Sequence, residues 1–138
     1  MGVEDIAREY IEAFNLRRFD RIEELASDDV EVVDLDGSTS RGKQAARRSA
    51  EFYTTAFPDA TVTIDKIVTA GDTVLAEMTG RGTNDGPFGD TPATHRKVEM
   101  QFCEVLTIEG GKITSDHLYG DTATMMRQLG LLPEPAHA

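Results

Sequence analysis

Near the amino end, apolar residues recur at helical spacing. Val3, Ile6, Ala7, Tyr10, Ile11 and Phe14 mark one face of an amphipathic helix from about Val3 to Leu16. Arg17 and Arg18 interrupt that stripe. Phe19, Ile22, Leu25 and Ala26 predict a second, shorter helix that ends at the run Ser27-Asp28-Asp29. Val30 to Leu35 reads as a strand and Asp36-Gly37 as a turn. Helical spacing returns from Gly42 to Phe57 through Ala45, Ala46, Ser49, Phe52, Tyr53 and Ala56, and Pro58-Asp59 ends that helix.

Beyond Pro58 the period changes to two. The runs ATVTIDKIVTA and TVLAEMTGRGT flank Gly71-Asp72, a hairpin signal. The Gly/Pro-rich loop NDGPFGDTP follows, then a long strand from about His95 to Ile108, a turn at Glu109-Gly110-Gly111, and a strand carrying Asp116. Alternation on this last strand sets Ile113, Ser115, His117 and Tyr119 on one face and Thr114, Asp116, Leu118 and Gly120 on the other. Asp121 is placed to cap a last helix with Met125, Met126 and Leu129 on its apolar side. The predicted order is α-α-β-α-β-β-β-β-α. Strands cluster late and join by hairpins, so the class is α+β with a largely antiparallel sheet. A curled sheet covered by few helices leaves a cavity, the place to look for chemistry.

At 138 residues the chain is long enough for one domain with a sizeable core. The expected domain is 1–133, with a loose tail at 134–138. A formal net charge of −11 argues against nucleic acid and anionic membranes as partners. The single cysteine, Cys103, excludes an intrachain disulfide and makes a reducing cytoplasm the expected location. The start MGVEDIAREY lacks the apolar core of a signal peptide, and no apolar run approaches the length of a membrane span.

The run GGKITSDHLYGD, followed by TMMRQLGLLP, resembles the end of SnoaL-like proteins, polyketide-cyclase relatives within the nuclear transport factor 2-like superfamily. The element order also agrees. The resemblance implies a cone-shaped α+β barrel. It further implies an apolar, oxygenated small molecule as ligand, no metal or redox cofactor, and a homodimer formed through the outer sheet face.

Two carboxylates carry the candidate chemistry. Asp34 ends the run SDDVEVVDLDG, which resembles the segment of ketosteroid isomerases that holds their general base, and Tyr10 falls where those enzymes carry an oxyanion-hole tyrosine. A carboxylate removes a proton beside a carbonyl while a phenol donates to the developing oxyanion. The isomerases' third residue falls at Cys103, a poor donor. Asp116 matches the last-strand acid/base of SnoaL-like cyclases, whose pairing histidine falls near Gln101. Each has a plainer reading. Asp34 caps the Asp36-Gly37 turn, Tyr10 is core, Cys103 is a small core residue, and Asp116 is a solvated carboxylate or pairs with Arg81 or Arg96.

The remaining candidates are pocket wall. Val32, Phe52, Met78 and Leu118 suggest apolar lining for substrate, with Gln101 and Cys103 beside them. Limonene epoxide hydrolases share the scaffold, but Met78 and Gly80 stand where their Arg–Asp pair falls, and Leu118 replaces their last-strand Asp. Gly80 and Gly82 leave room for a bulky ligand or mark a bulge. Phe88 is a candidate lid or a loop anchor. His117 alternates with Asp116 and faces away from the pocket. No two of His95, His117 and His137 have ligand spacing on one element, so no metal site is expected. On the long strand, Glu99, Gln101 and Cys103 are expected to face the cavity. Val98, Met100, Phe102 and Leu106 would then face outward, where a sheet-to-sheet homodimer covers them. Two function classes remain open: an acid/base cyclase or isomerase acting on a polyketide- or steroid-like ketone, and a non-catalytic binding protein or structural dimer; epoxide hydrolase-type activity is a further alternative.

Overall fold

A computed structural model describes residues 2–133; the expected tail at 134–138 lies outside the described residues. The elements are α1 (Val3–Asn15), α2 (Phe19–Leu25), β1 (Ala26–Val33), β2 (Thr39–Arg41), α3 (Lys43–Ala56), β3 (Thr61–Ala70), β4 (Thr73–Thr83), β5 (Lys97–Glu109), β6 (Lys112–Gly120) and α4 (Thr122–Gln128). They match the predicted order with one addition, the short strand β2. All three of its residues are exposed, so it carries no hydrophobic alternation to reveal it.

The strands form one sheet in the order β2-β1-β6-β5-β4-β3. Every neighbouring pair is antiparallel except β1 with β6. The sheet curls around α1, α2 and α3 to give the cone-shaped α+β barrel. Its concave face holds the core, where Leu106, Ile108, Ile113, Val30, Val32 and Val74 are fully buried beside Ile6, Ala7 and Tyr10 of α1. Truncating one of the larger of these to Ala costs roughly 2–5 kcal/mol.

Local chemistry ends the elements. Arg17 takes a positive φ of 59° and closes α1. Its guanidinium donates to the carbonyls of Phe14, Pro58 and Ala60, tying that turn to the start of β3. Asp121 caps α4, accepting from the Thr124 backbone N–H at 3.1 Å and from its hydroxyl at 2.6 Å. Fully buried Asn84 pins the loop that follows β4. Its amide donates to the Ala56 and Gly86 carbonyls, and its carbonyl oxygen accepts from Thr94.

Two register features correct the sequence reading. On β6, Thr107 faces Ser115 but Ile108 faces Ile113, so Thr114 is an extra residue. The bulge turns Ile113 and Asp116 to the same side, and both are buried rather than on opposite faces. On β5 the expected facing is inverted. Val98, Met100, Phe102 and Leu106 point inward, while Glu99 and Gln101 are exposed on the convex side. The apolar set of a one-sided strand goes to the core because burial of its area outweighs any other preference. The outer-face homodimer thereby loses the residues it was argued from.

Candidate active site

The narrowing barrel leaves a cavity of about 140 Å³, room for many more atoms than a single water. Its wall is mostly apolar: Ile11 and Phe14 from α1, Met78 from β4, Val98, Met100 and Phe102 from β5, Leu118 from β6 and Met125 from α4. Gly80 also lines it, with Phe102 within 3.3 Å of where a Cβ would stand. Gly82 serves packing instead, since a Cβ there would lie 2.9 Å from Phe57.

Into this wall three polar side chains project together. Tyr10, carried inward on the buried face of α1, donates its hydroxyl to Asp116 Oδ2 at 2.7 Å. Asp116 is 5% exposed, and its Oδ1 has no hydrogen-bond partner among the described residues if both carboxyls are taken as ionised. Glu104, 8% exposed, is the neighbouring carboxyl. The register explains the meeting: Leu106 pairs with Asp116 and Glu104 with Leu118, so Glu104 and Asp116 are diagonal neighbours on one face.

Electrostatics follow from that crowding. Burial pushes the Glu104 carboxyl well up, and the adjacent Asp116 pushes it further. Burial also raises Asp116, while hydrogen bonds from Glu104 and Tyr10 hold it partly down. Two adjacent carboxyls in an apolar site titrate as a pair rather than as separate groups. Of the two, Glu104 is the side that holds the shared proton and Asp116 the side that accepts it, since their mutual hydrogen bond raises Glu104 and lowers Asp116. Burial, and then the neighbouring Asp116 and Glu104 carboxyls, push the Tyr10 phenol well up, which keeps it a donor.

Asp34 sits elsewhere. It follows β1 and lines an outer groove between α3, α4 and the β1–β2 turn, outside the cavity. Tyr53 donates to its Oδ1 at 2.6 Å, Ser49 to its Oδ2 at 2.8 Å and the Leu35 N–H to Oδ1 at 2.8 Å. Its backbone also closes the turn, with Asp34 N–H donating to Ser38 and Gly37 N–H to Asp34. Burial first, and then Asp34, pushes the Tyr53 phenol far up. The expected Tyr10–Asp34 partnership is therefore replaced by two separate ones, Tyr10 with Asp116 and Tyr53 with Asp34.

The other predicted wall residues divide. Met78 and Leu118 line the cavity. Val32 is 1% exposed within the core cluster and off the cavity wall. Phe52 is on the outer groove, edge-on to Tyr53 and Phe88. Phe88 packs against Phe52 and Phe57 as an anchor for its loop. Gln101 and Cys103 lie on the convex face, away from the cavity, and burial pushes the Cys103 thiol up. His117 shares that face, its Nε2 2.8 Å from Glu31 Oε1. Arg81 binds Glu99 at 2.8 Å rather than Asp116. Among the described residues, no group of three or more His, Cys, Asp or Glu side chains is arranged to hold a metal ion. No helix among them is long and apolar enough to cross a membrane.

Sequence reasoning missed Glu104, Ser49 and Tyr53. The signal for Glu104 was present, because it is the only charged residue in the inward series Val98, Met100, Phe102, Glu104, Leu106, Ile108. Ser49 and Tyr53 are one turn apart on α3 and so present their hydroxyls on one face.

Comparison with known proteins now decides the family. The profile of the SnoaL-like polyketide cyclases matches residues 4–129. The chain belongs to that family. Solved structures share its fold. A proposed SnoaL-like polyketide cyclase from Jannaschia sp. CCS1 superposes with a TM-score of 0.87 at 16% identity, covering 95% of this chain and 93% of its own. IdmH from Streptomyces antibioticus, a proposed polyketide cyclase, gives 0.80 at 27% identity, covering 94% and 99%. An epoxide hydrolase of M. tuberculosis, like the limonene enzymes, gives 0.74 at 22% identity, covering 92% and 88%. No curated protein matches the sequence. In this SnoaL-like chain the conical cavity is thus the family's scaffold, and the Tyr10–Asp116–Glu104 group is what its own sequence places inside.

Proposed function

We propose that this SnoaL-like protein is an acid/base catalyst of carbonyl chemistry, closing or isomerising a polyketide- or steroid-like ketone without metal or redox cofactor. One observation carries the reading: a buried phenol and two neighbouring buried carboxyls meet in a mostly apolar cavity. A structural dimer has no use for such a group, since burying carboxyls costs free energy that apolar side chains in their place would not.

Asp116 takes the base role. It removes a proton from the carbon next to the ligand's carbonyl, and the electron pair moves onto that oxygen. As the ligand enters, the carboxylic acid of Glu104 and the phenol of Tyr10 turn their single protons from Asp116 to the developing oxyanion, which also leaves Asp116 the stronger base. In a ring closure the enolate carbon then attacks a second carbonyl of the same ligand. The alkoxide formed takes the Glu104 proton, and the proton gained by Asp116 passes across the pair to restore Glu104. The product is an isomer of the ligand and the protein is unchanged. Apolar walls suit the reaction because they exclude water and hold the carboxyl pKa values high. Asp34, on the outer groove, lies outside this step.

The test is solvent deuterium exchange, followed by NMR, into the acidic C–H positions of cyclic ketones and β-dicarbonyls. Wild type is compared with Asp116→Asn, Glu104→Gln and Asp34→Asn. Exchange is expected to fall roughly 100-fold or more in Asp116→Asn and to stay within a few-fold of wild type in Asp34→Asn. Absence of exchange above background in the wild type, with binding visible as shift changes, removes the enolisation reading for those ligands.

A further inference from the structure

The cavity has a second polar margin. Ser49 and Tyr53 line it from α3, yet both hydroxyls donate away from it, to the half-buried Asp34. With the Leu35 N–H, three donors converge on one carboxylate, the surroundings of an ionised group. The reaction proposed above makes no use of it.

The sheet carries this charge close to the base. β1 runs parallel to β6, with Val32 beside Asp116 and Val33 beside His117. Asp34 follows at once, two residues past Val32 and so two positions along from Asp116. Its carboxylate reaches α3, whose Ala45, Ala46 and Ala50 pack on the concave face against Val32. It is therefore on the same side of the sheet as Asp116. Strand spacing and rise set the two residues on the order of 8 Å apart. Val32 and Asp116 are both buried, so water screens that range poorly.

The surrounding charges leave this one uncompensated. Arg48 from α3 and Asp36 from the β1–β2 turn share the groove with Asp34 and oppose one another in sign. From α4 the groove receives only Thr122, Met125 and Met126. At Asp116, α1 supplies the neutral Tyr10 hydroxyl and β5 supplies Glu104. His117 is turned to the convex face and engaged with Glu31. Burial is the first cause of the raised pKa of both Glu104 and Asp116, and the Asp34 charge pushes both the same way, while His117 pulls Asp116 down.

We infer that Asp34 is a fixed negative charge that keeps Asp116 a strong base, held in place by Ser49 and Tyr53 and never touching the ligand. The inference rests on the acid/base reading of the cavity. It gives a definite sign: with a neutral residue at position 34, Asp116 stays ionised to lower pH and is the weaker base.

The experiment is a ¹³C NMR titration of side-chain carboxyls, run without ligand, in wild type, Asp34→Asn and Ser49→Ala. Asp116→Asn and Glu104→Gln assign the signals, and thermal melting establishes that each variant is folded. Asp34→Ser takes the place of Asp34→Asn if the latter does not fold. In the neutral variant the lower apparent pKa of the Asp116–Glu104 pair is expected to fall by roughly half a unit or more. Ser49→Ala keeps the carboxylate and leaves that titration where it is. The acidic limb of the deuterium-exchange profile moves to lower pH with the titration, whereas loss of a structural carboxylate lowers the rate without moving the limb. The inference is overturned if the titration does not move in the neutral variant, or if Ser49→Ala moves it as far. A titration that moves, in a protein that exchanges none of the ketones, leaves the role of Asp34 standing and sinks the acid/base reading. Exchange that Asp116→Asn abolishes, with a titration indifferent to Asp34, does the reverse.

Discussion

The Tyr10 hydroxyl donates to Asp116 Oδ2 at 2.7 Å, joining the first helix to the last strand across the barrel. Removing it with Tyr10→Phe strips a buried carboxylate of a donor. The expected cost is about 1–3 kcal/mol at neutral pH, read from denaturant midpoints. Asp116 also loses one of the bonds that hold its pKa down, so the acidic limb of an exchange-rate profile moves to higher pH.

Glu104 sets a stability–pH relation of definite sign. Its folded pKa is raised well above the ordinary 4.5, first by burial and then by Asp116. The folded state therefore binds the proton more tightly than the unfolded state. The stabilisation is full below pH 4.5 and is lost as pH climbs through the folded value. Glu104→Gln removes that titration. Its melting temperature is expected to fall less than that of wild type between pH 5 and pH 9, in scans at about unit intervals.

Asp121 works in the opposite direction. Its hydrogen bonds to the Thr124 side chain and backbone hold its carboxyl below the usual range. That contribution is present above the unfolded pKa and disappears as pH falls through the folded one. Asp121→Ala is expected to lower the urea midpoint at neutral pH and to leave it almost unchanged in strong acid, as measured by urea unfolding at both pH values.

Gly86 has no room for a side chain. A Cβ there would lie 1.9 Å from the Thr55 carbonyl oxygen, and that backbone is anchored at the end of α3. Gly86→Ala must displace the loop that Asn84 holds, so a loss of more than about 2 kcal/mol is expected. An unchanged melting temperature would contradict the packing described.

Gln101 and Cys103 are on the convex face. Gln101→Ala and Cys103→Ser are expected to leave deuterium exchange and ligand affinity within about twofold of wild type. A tenfold loss in either would mean that the β5 facing is inverted in solution.

Apart from the exposed strand β2, the type and order of the elements were legible in the chain, because periods of 3.6 and 2 are local properties of burial on one face. So were the turns, where Gly71, Gly110, Gly111 and Gly130 take positive φ. Met78 and Leu118 were also legible as cavity wall, being apolar positions on inward faces. Facing on β5 could have been read from its apolar series; the expectation failed by following a family position for Gln101 and Cys103 instead of the strand's own alternation. What tertiary structure alone decided is who meets whom. The Thr114 bulge shifts β6 by one residue and so brings Asp116 beside Glu104, and no local pattern announces a bulge. Tyr10 and Asp34 are each suited to the same partner by chemistry, yet the curl of the sheet gives Tyr10 to Asp116, 106 positions away, and leaves Asp34 to Tyr53. Residue types and local alternation are written in the sequence. Pairings across a closed barrel depend on register, curvature and the volume left over, which are properties of the folded whole.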